Sequence, residues 1–260
     1  MAREQRLLFG EVAELYDRAR PGYPDSLVDD VVSYGRLAAG DRVLESGCGT
    51  GKATVPFAAR GLRVTALEPD PNMAAIAERN CAGLDAVVEI ASFEGWTDVP
   101  CRFRLVMAAQ SWHWVQPQVR LPKARDLLGA DGTLALFWNH SESLDSALTG
   151  AIEAAYERVV PGFPARWSGS SPQDVGRRTC VDELAASDLF GDFNASEHKW
   201  ETAYDRDGYL QLLDTQSDHR LLDPDQRQRL FDAIGAVIDD AGGVLPASYV
   251  AELYLARRVA

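Results

Sequence analysis

The stretch Arg42-Val-Leu-Glu45-Ser-Gly47-Cys-Gly49-Thr-Gly51-Lys-Ala53 constrains this chain more than any other. A short apolar run feeds straight into glycines at alternate positions, and a helix-length segment follows to about Arg60. Glycine tolerates positive φ and carries no Cβ, so such a turn lets backbone approach a ligand closely. Two phosphate-binding patterns fail here: G-x-G-x-x-G needs glycine where Lys52 stands, and G-x-x-x-x-G-K-[ST] needs glycine at Ser46 and a hydroxyl at Ala53. On the motif alone, a tight turn that merely packs stays open.

The alternation continues downstream. Apolar runs predict strands over 42–45, 62–67, 85–91, 103–109 and 133–138, with helices from Pro71 and over 118–128 between them. Pro71 suits the first turn of a helix, and Gly129 to Gly132 reads as a turn before the fifth strand. Segments 193–204 and 249–259 alternate as late, antiparallel strands, and 205–241 is helical. Residues 161–172 hold three prolines, two glycines and three serines, the composition of a loop. The pattern predicts an α/β fold with a doubly wound, mostly parallel seven-stranded sheet, whose ligands lie beyond the carboxyl ends of its strands.

Composition narrows the partners. With 39 acidic against 26 basic residues and a net charge of -13, the chain lacks the cations that replace counterions along a nucleic acid, so a small molecule is the expected substrate. Without an uninterrupted apolar run of about 18 residues or a leader-like start, no membrane span is expected and a cytoplasmic address follows. The four cysteines and four histidines are dispersed, so free thiols and no metal site are expected.

Glu68 stands 21 residues after Gly47, at the end of the second predicted strand. A carboxylate there can accept both ribose hydroxyls of an adenosine cofactor. NAD satisfies that position too, which leaves an oxidoreductase as an alternative.

Together these segments resemble the class I S-adenosylmethionine-dependent methyltransferases, small-molecule type. Val43 to Gly51 is similar to their first motif and Leu67-Glu68-Pro69-Asp70 to their second. Ala91-Ser92-Phe93-Glu94-Gly-Trp96 resembles the segment flanking the adenine, and Ala109-Gln110-Ser-Trp112-His113-Trp114-Val115 the segment bordering the transferred methyl. Phe9 and Tyr16-Asp-Arg-Ala-Arg20-Pro-Gly-Tyr-Pro24 resemble the amino-terminal cap of members related to trans-aconitate methyltransferase.

The resemblance implies S-adenosylmethionine as cofactor, held by Tyr16, Arg20, Glu45, Gly47, Gly49, Gly51, Glu68, Pro69, Ser92, Phe93, Glu94 and Gln110. Glu45 and Gln110 stand where aspartate is frequent. Trp112, His113 and Trp114 are the acceptor-pocket candidates, and His113 the candidate base, its ordinary pKa being near the working range. The implied organisation is an N-terminal cap over 1–40, a cofactor-binding core over 41–140, and a remainder over 141–260 that supplies an acceptor-side helical cap and the last strands. A module that binds the cofactor without transferring its methyl is the non-enzymatic alternative.

Overall fold

The computed structural model describes residues 12–97, 102–142, 146–163 and 172–259. Phe9 and most of the loop expected over 161–172 lie outside them.

The described chain forms two compact units, each discontinuous in sequence, which cut across the three segments implied above. One comprises Pro21–Asn139, Gln173–His198 and Ala251–Ala260; the other Met1–Arg20, His140–Pro172 and Lys199–Val250.

Strands β1 (Arg42–Ser46), β2 (Arg63–Leu67), β3 (Ala86–Glu89), β4 (Phe103–Ala109) and β5 (Leu128–Ser141) stand in the order β3-β2-β1-β4-β5, and β7 (Val244–Arg258) and β6 (Phe190–Asp205) complete a seven-stranded mixed sheet. The first unit holds β1 to β4 and the greater part of β5. The pairs β1–β2, β2–β3, β1–β4 and β4–β5 are parallel. β1 lies at the centre, with Leu44 opposite Thr65 on one side and Val106 on the other. Residues 43–46 are buried on both faces, as a helix-covered parallel sheet demands. Strand order reverses between β1 and β4, so their carboxyl ends, Ser46 and Ala109, flank the crevice where such sheets bind ligands.

The helices follow from local chemistry. Helix α2 (Asp25–Gly35; α1 is Ala13–Ala19) buries Leu27, Val28 and Val31, and its chain turns at Arg36 with φ 49°. A short helix, α3 (Thr54–Ala58), follows the glycine turn. In α4 (Pro71–Asn80), Pro71 occupies the first turn and the Asp70 side chain accepts from the N–H groups of Asn72 and Met73. Helix α5 (Pro117–Leu127) leads into β5, and here the structure departs from the sequence reading. Gly129 to Gly132 lie inside the strand, and a register shift between Phe103 and Leu105 of β4 absorbs them.

In the second unit, α1, α6 (Ser146–Val159; α7, Pro172–Ala185, belongs mainly to the sheet unit), α8 (Arg206–Asp214), α9 (Ser217–Arg220) and α10 (Pro224–Asp240) surround a separate core. Leu230, Ile234 and Ile238, four residues apart along α10, pack with Ile152, Leu213 and Leu245. Asp223 caps α10 through the N–H groups of Asp225 and Gln226. Among the described residues no helix is long and apolar enough to cross a membrane.

Candidate functional site

The loops after β1, β2 and β4 are tied together by their own polar groups. Gly47, at φ 68°, occupies left-handed backbone, and a Cβ there would stand 2.7 Å from Cβ of Ser111. Glycine is therefore required for two independent reasons, conformation and space. Ser111 Oγ donates to the Ser46 carbonyl, which closes the β4 loop onto the β1 loop.

Glu68 is buried at the end of β2, and each carboxylate oxygen accepts one backbone N–H: Oε2 from Gly49 at 2.9 Å and Oε1 from Asp70 at 2.9 Å. The bond from Gly49 anchors the glycine turn to the end of β2. Pro69 beside it is exposed. Gly51, at φ 87°, also takes left-handed backbone, and a Cβ there would stand 3.5 Å from the Ala77 Cα on α4.

Glu45 has a different environment. It is fully buried, Oε2 accepts from Thr54 Oγ1 at 2.6 Å, and Oε1 has no hydrogen-bond partner among the described residues. Burial, with Glu68 nearby, pushes its carboxyl up to about 7, against the Thr54 bond that favours the ionised form. Burial also holds the Cys48 thiol well above its ordinary range, so this cysteine stays an un-ionised packing group.

After β3, Phe93 is buried against Trp112 (centroids 5.3 Å apart, 63° between planes) with the Lys123 ammonium over its ring. Ser92 Oγ accepts from Gly95 N–H, and Glu94 Oε1 accepts from Gln116 N–H. Glu94 Oε2 is buried and has no hydrogen-bond partner among the described residues.

The segment after β4 holds the aromatic cluster. Gln110 takes φ 57° and spends its side-chain N–H on the Asn139 carbonyl at 2.9 Å. A 3-10 turn over Trp112–Trp114 sends the two tryptophans to different surroundings. Trp112 is fully buried in the core under the sheet, whereas Trp114 is half-buried beside His113, with centroids 5.0 Å apart. The acceptor-pocket expectation therefore divides: Trp112 supplies core packing, and His113 and Trp114 supply the half-buried surface.

Sequence reasoning missed two residues that meet His113 and a third that packs on one of them. The Trp138 indole N–H donates to His113 Nδ1 at 3.4 Å, and a Cβ on Gly176 of α7 would meet the His113 Cβ at 3.2 Å. Tyr254 packs edge-on against Trp138 with centroids 6.1 Å apart, and its hydroxyl donates to Glu252 Oε2, which also pairs with Arg177. The position of Trp138 near the carboxyl end of β5 was the available signal; Gly176 and Tyr254 had none.

Tyr16 and Arg20 belong to the second unit. There the Arg20 guanidinium lies over the Tyr16 ring and donates to Thr215 Oγ1 at 2.8 Å and to the Thr215 carbonyl at 3.0 Å. Among the described residues no group of three His, Cys, Asp or Glu side chains is placed to hold a metal ion.

Residues 43–132, from β1 into β5, match the family described as a methyltransferase domain. Over that stretch the chain is similar to a methyltransferase domain. An uncharacterized methyltransferase of Mycobacterium bovis is 36% identical over 141 residues, covering 53% of this chain and 54% of the relative. A probable S-adenosylmethionine-dependent methyltransferase of Saccharomyces cerevisiae is 30% identical over 193 residues, covering 70% and 64% respectively. The chain thus spans between half and two thirds of the length of these relatives. A solved chain from Anaeromyxobacter dehalogenans, assigned to the type II methyltransferases, superposes with a TM-score of 0.68 at 22% identity, covering 92% of this chain and 98% of its own. The matched domain and these relatives support S-adenosylmethionine as the cofactor. They do not single out relatives of trans-aconitate methyltransferase among the methyltransferases.

Proposed function

We propose that the chain transfers a methyl group from S-adenosylmethionine to a small-molecule acceptor at the crevice between β1 and β4. One observation carries this reading: Glu68 is held at the end of β2 by two backbone N–H groups, one of them from the glycine turn itself. That geometry fits an adenosine cofactor, because a carboxylate at the end of the second strand accepts the ribose hydroxyls. The Gly47 backbone, bare of Cβ, and the buried Glu45 Oε1 fit the polar methionine end.

Within this reading Glu68, with Pro69 beside it, orients the ribose, and Gly47, Gly49, Gly51 and Glu45 face the methionine portion. Ser92, Phe93, Glu94 and Gln110 line the adenine and sulfonium sides. When bound, the cofactor supplies a methyl already activated as a sulfonium. The protein's task is then chiefly to place the acceptor in line, worth about 7–11 kcal/mol when two reacting atoms are well oriented. His113 and Trp114 supply the acceptor side. The net charge of -13 supports a small acceptor over a nucleic acid.

Calorimetric titration with S-adenosylmethionine, S-adenosylhomocysteine and NAD tests the cofactor. Binding of the first two alone, together with labelled methyl transfer to a small molecule, is the expected result. NAD binding in their place overturns the reading, and cofactor binding with no transfer to any acceptor reduces the chain to a binding module.

A further inference from the structure

Two carboxyl groups stand near the ends of β1 and β2, and their surroundings treat them unequally. Glu68 accepts one N–H from Gly49 and another from Asp70. Glu45 is fully buried, accepts a single hydrogen bond, from Thr54 Oγ1 at 2.6 Å, and keeps Oε1 without a partner among the described residues. An ionised carboxylate withdrawn from water needs a cation or several donors, and one hydroxyl does not suffice. The elements packed around Glu45 supply neither. β2 places Ala66 beside it and the like charge of Glu68 nearby, β4 places Met107 on its other side, and α3 contributes Thr54. The turn adds Cys48 and the end of α4 adds Cys81, two thiols that burial keeps neutral. Burial, with Glu68 nearby, accordingly holds the Glu45 carboxyl up at about 7 despite the Thr54 bond. Neighbouring carboxyls whose proton affinities are pushed apart in this way take different roles.

Glu45 responds to charge on the turn without being touched. The charge of Glu68 raises its proton affinity, and its own charge raises that of Cys48 and Cys81. Such coupling is strong in a buried site, where the dielectric is low. A cation settled over Gly47 to Gly51 acts on Glu45 with the opposite sign.

We propose that Glu45 is a latent charge that sets the preference for the cofactor over its demethylated product: it stays a neutral acid while the crevice is empty and loses its proton when S-adenosylmethionine binds. The carboxyl O–H bond breaks, its electron pair stays on the oxygen, and the proton passes to solvent. S-adenosylmethionine carries an ammonium, a sulfonium and a carboxylate, a net positive charge. S-adenosylhomocysteine lacks the sulfonium and is neutral overall. Ionised Glu45 therefore favours the first, and transfer of the methyl removes that preference and eases product release. This role rests on the reading that the methionine portion lies on the glycine turn; it requires no contact with Glu45 itself.

Calorimetric titration of the full chain at pH 6, in two buffers of different ionisation heat, counts the protons released by each ligand. About half a proton or more is expected to leave with S-adenosylmethionine, and clearly less with S-adenosylhomocysteine. Affinity for S-adenosylmethionine rises about 10-fold from pH 5.5 to 7.5. Glu45→Gln keeps the size of the side chain but cannot ionise, so it abolishes the extra proton and flattens the rise. No release in the wild type, or equal release in the variant, overturns the proposal. Thr54→Val removes the one bond that favours the ionised form, and moves the midpoint of the pH dependence upward by about one pH unit. An unmoved midpoint in that folded variant overturns it as well. If neither ligand binds at any pH, the reading of the crevice as a cofactor site falls too; binding without proton release removes only the role given to Glu45.

Discussion

Gly47 and Trp112 follow neighbouring strands at the same edge of the sheet, and they are held by opposite means. After β1 and β2 the chain makes a polar cradle, in which a bare glycine backbone is pinned by Glu68 and by the Ser111–Ser46 bond. After β4 it makes an aromatic turn, in which Trp112 is buried and His113 is fixed by residues from β5 and α7. Apart from Ser111, which returns to Ser46 from 65 residues away, the parts of the polar cradle follow β1 and β2 directly. The aromatic turn is assembled from across the unit. A binding function tied to the fold follows from the first arrangement, and acceptor selection follows from the second.

Trp112→Ala gives the largest expected effect and would break the comparison most directly. A fully buried tryptophan packed on Phe93 leaves a cavity, and such truncations cost about 3–5 kcal/mol. Denaturant unfolding measures this. A loss under about 1 kcal/mol would move Trp112 from the core to a ligand surface.

Glu68→Ala comes next and acts on the polar cradle. Removing the carboxylate takes away the ribose contact and the partner of Gly49 N–H, so cofactor affinity falls by roughly 2–4 kcal/mol with the fold intact. An unchanged dissociation constant in the folded variant would remove the ribose assignment.

Within the same cradle, Glu45 and Glu68 differ in a way that pH exposes. Glu68 is satisfied by two N–H donors, whereas Glu45 keeps a buried oxygen without a partner and a carboxyl at about 7. Its unfolded value is the ordinary 4.5, so between the two the folded state binds the proton more tightly. Stability from this group therefore falls as pH rises from about 4.5 through 7 and then levels, with a total on the order of 3 kcal/mol. Glu45→Gln flattens that dependence. Without cofactor, the variant should be about 1–3 kcal/mol more stable than wild type at pH 8 and near parity at pH 5. Parallel urea profiles at both pH values would show that Glu45 is ionised throughout.

The two regions were unequally legible in the sequence. β1, β2 and β4, the glycine turn and Glu68 were readable because strand ends, glycines and a carboxylate follow one another along the chain. The burial of Trp112 against the half-burial of Trp114 was not, because a 3-10 turn sets it and alternating tryptophans look equivalent in a string. β5 was read short because Gly129 to Gly132 resemble a turn, while the ladder carries them in a register shift. The surroundings of His113 depend on Trp138, Gly176 and Tyr254, which lie 25 or more positions away, and pairing over such separations leaves no local pattern. The discontinuous units escaped for a similar reason: 173–198 and 251–260 return to the sheet after the chain has left it.

The smallest predicted effect probes the aromatic turn at its most sensitive contact. Gly176 lies inside α7 with no positive φ, so its conformation alone does not call for glycine. On propensity, Gly176→Ala gains about 0.8–1 kcal/mol of helix stability. The added methyl, however, meets the His113 Cβ at 3.2 Å and Cγ at 3.7 Å, tighter than ordinary packing. A shift of His113 that draws its Nδ1 away from Trp138 costs part of a hydrogen bond of about 0.5–1.5 kcal/mol. The two contributions nearly cancel, and the predicted net change in unfolding free energy lies within about 0.5 kcal/mol of zero. The cancellation has a signature that neither contribution alone produces. Thermal unfolding stays close to wild type while the His113 ring nitrogens shift in the NMR spectrum and acceptor KM rises, with cofactor affinity unchanged. A plain stability gain of the full helix-propensity size, with unmoved ring signals, would mean that α7 yields instead and that Gly176 plays no part in holding the imidazole.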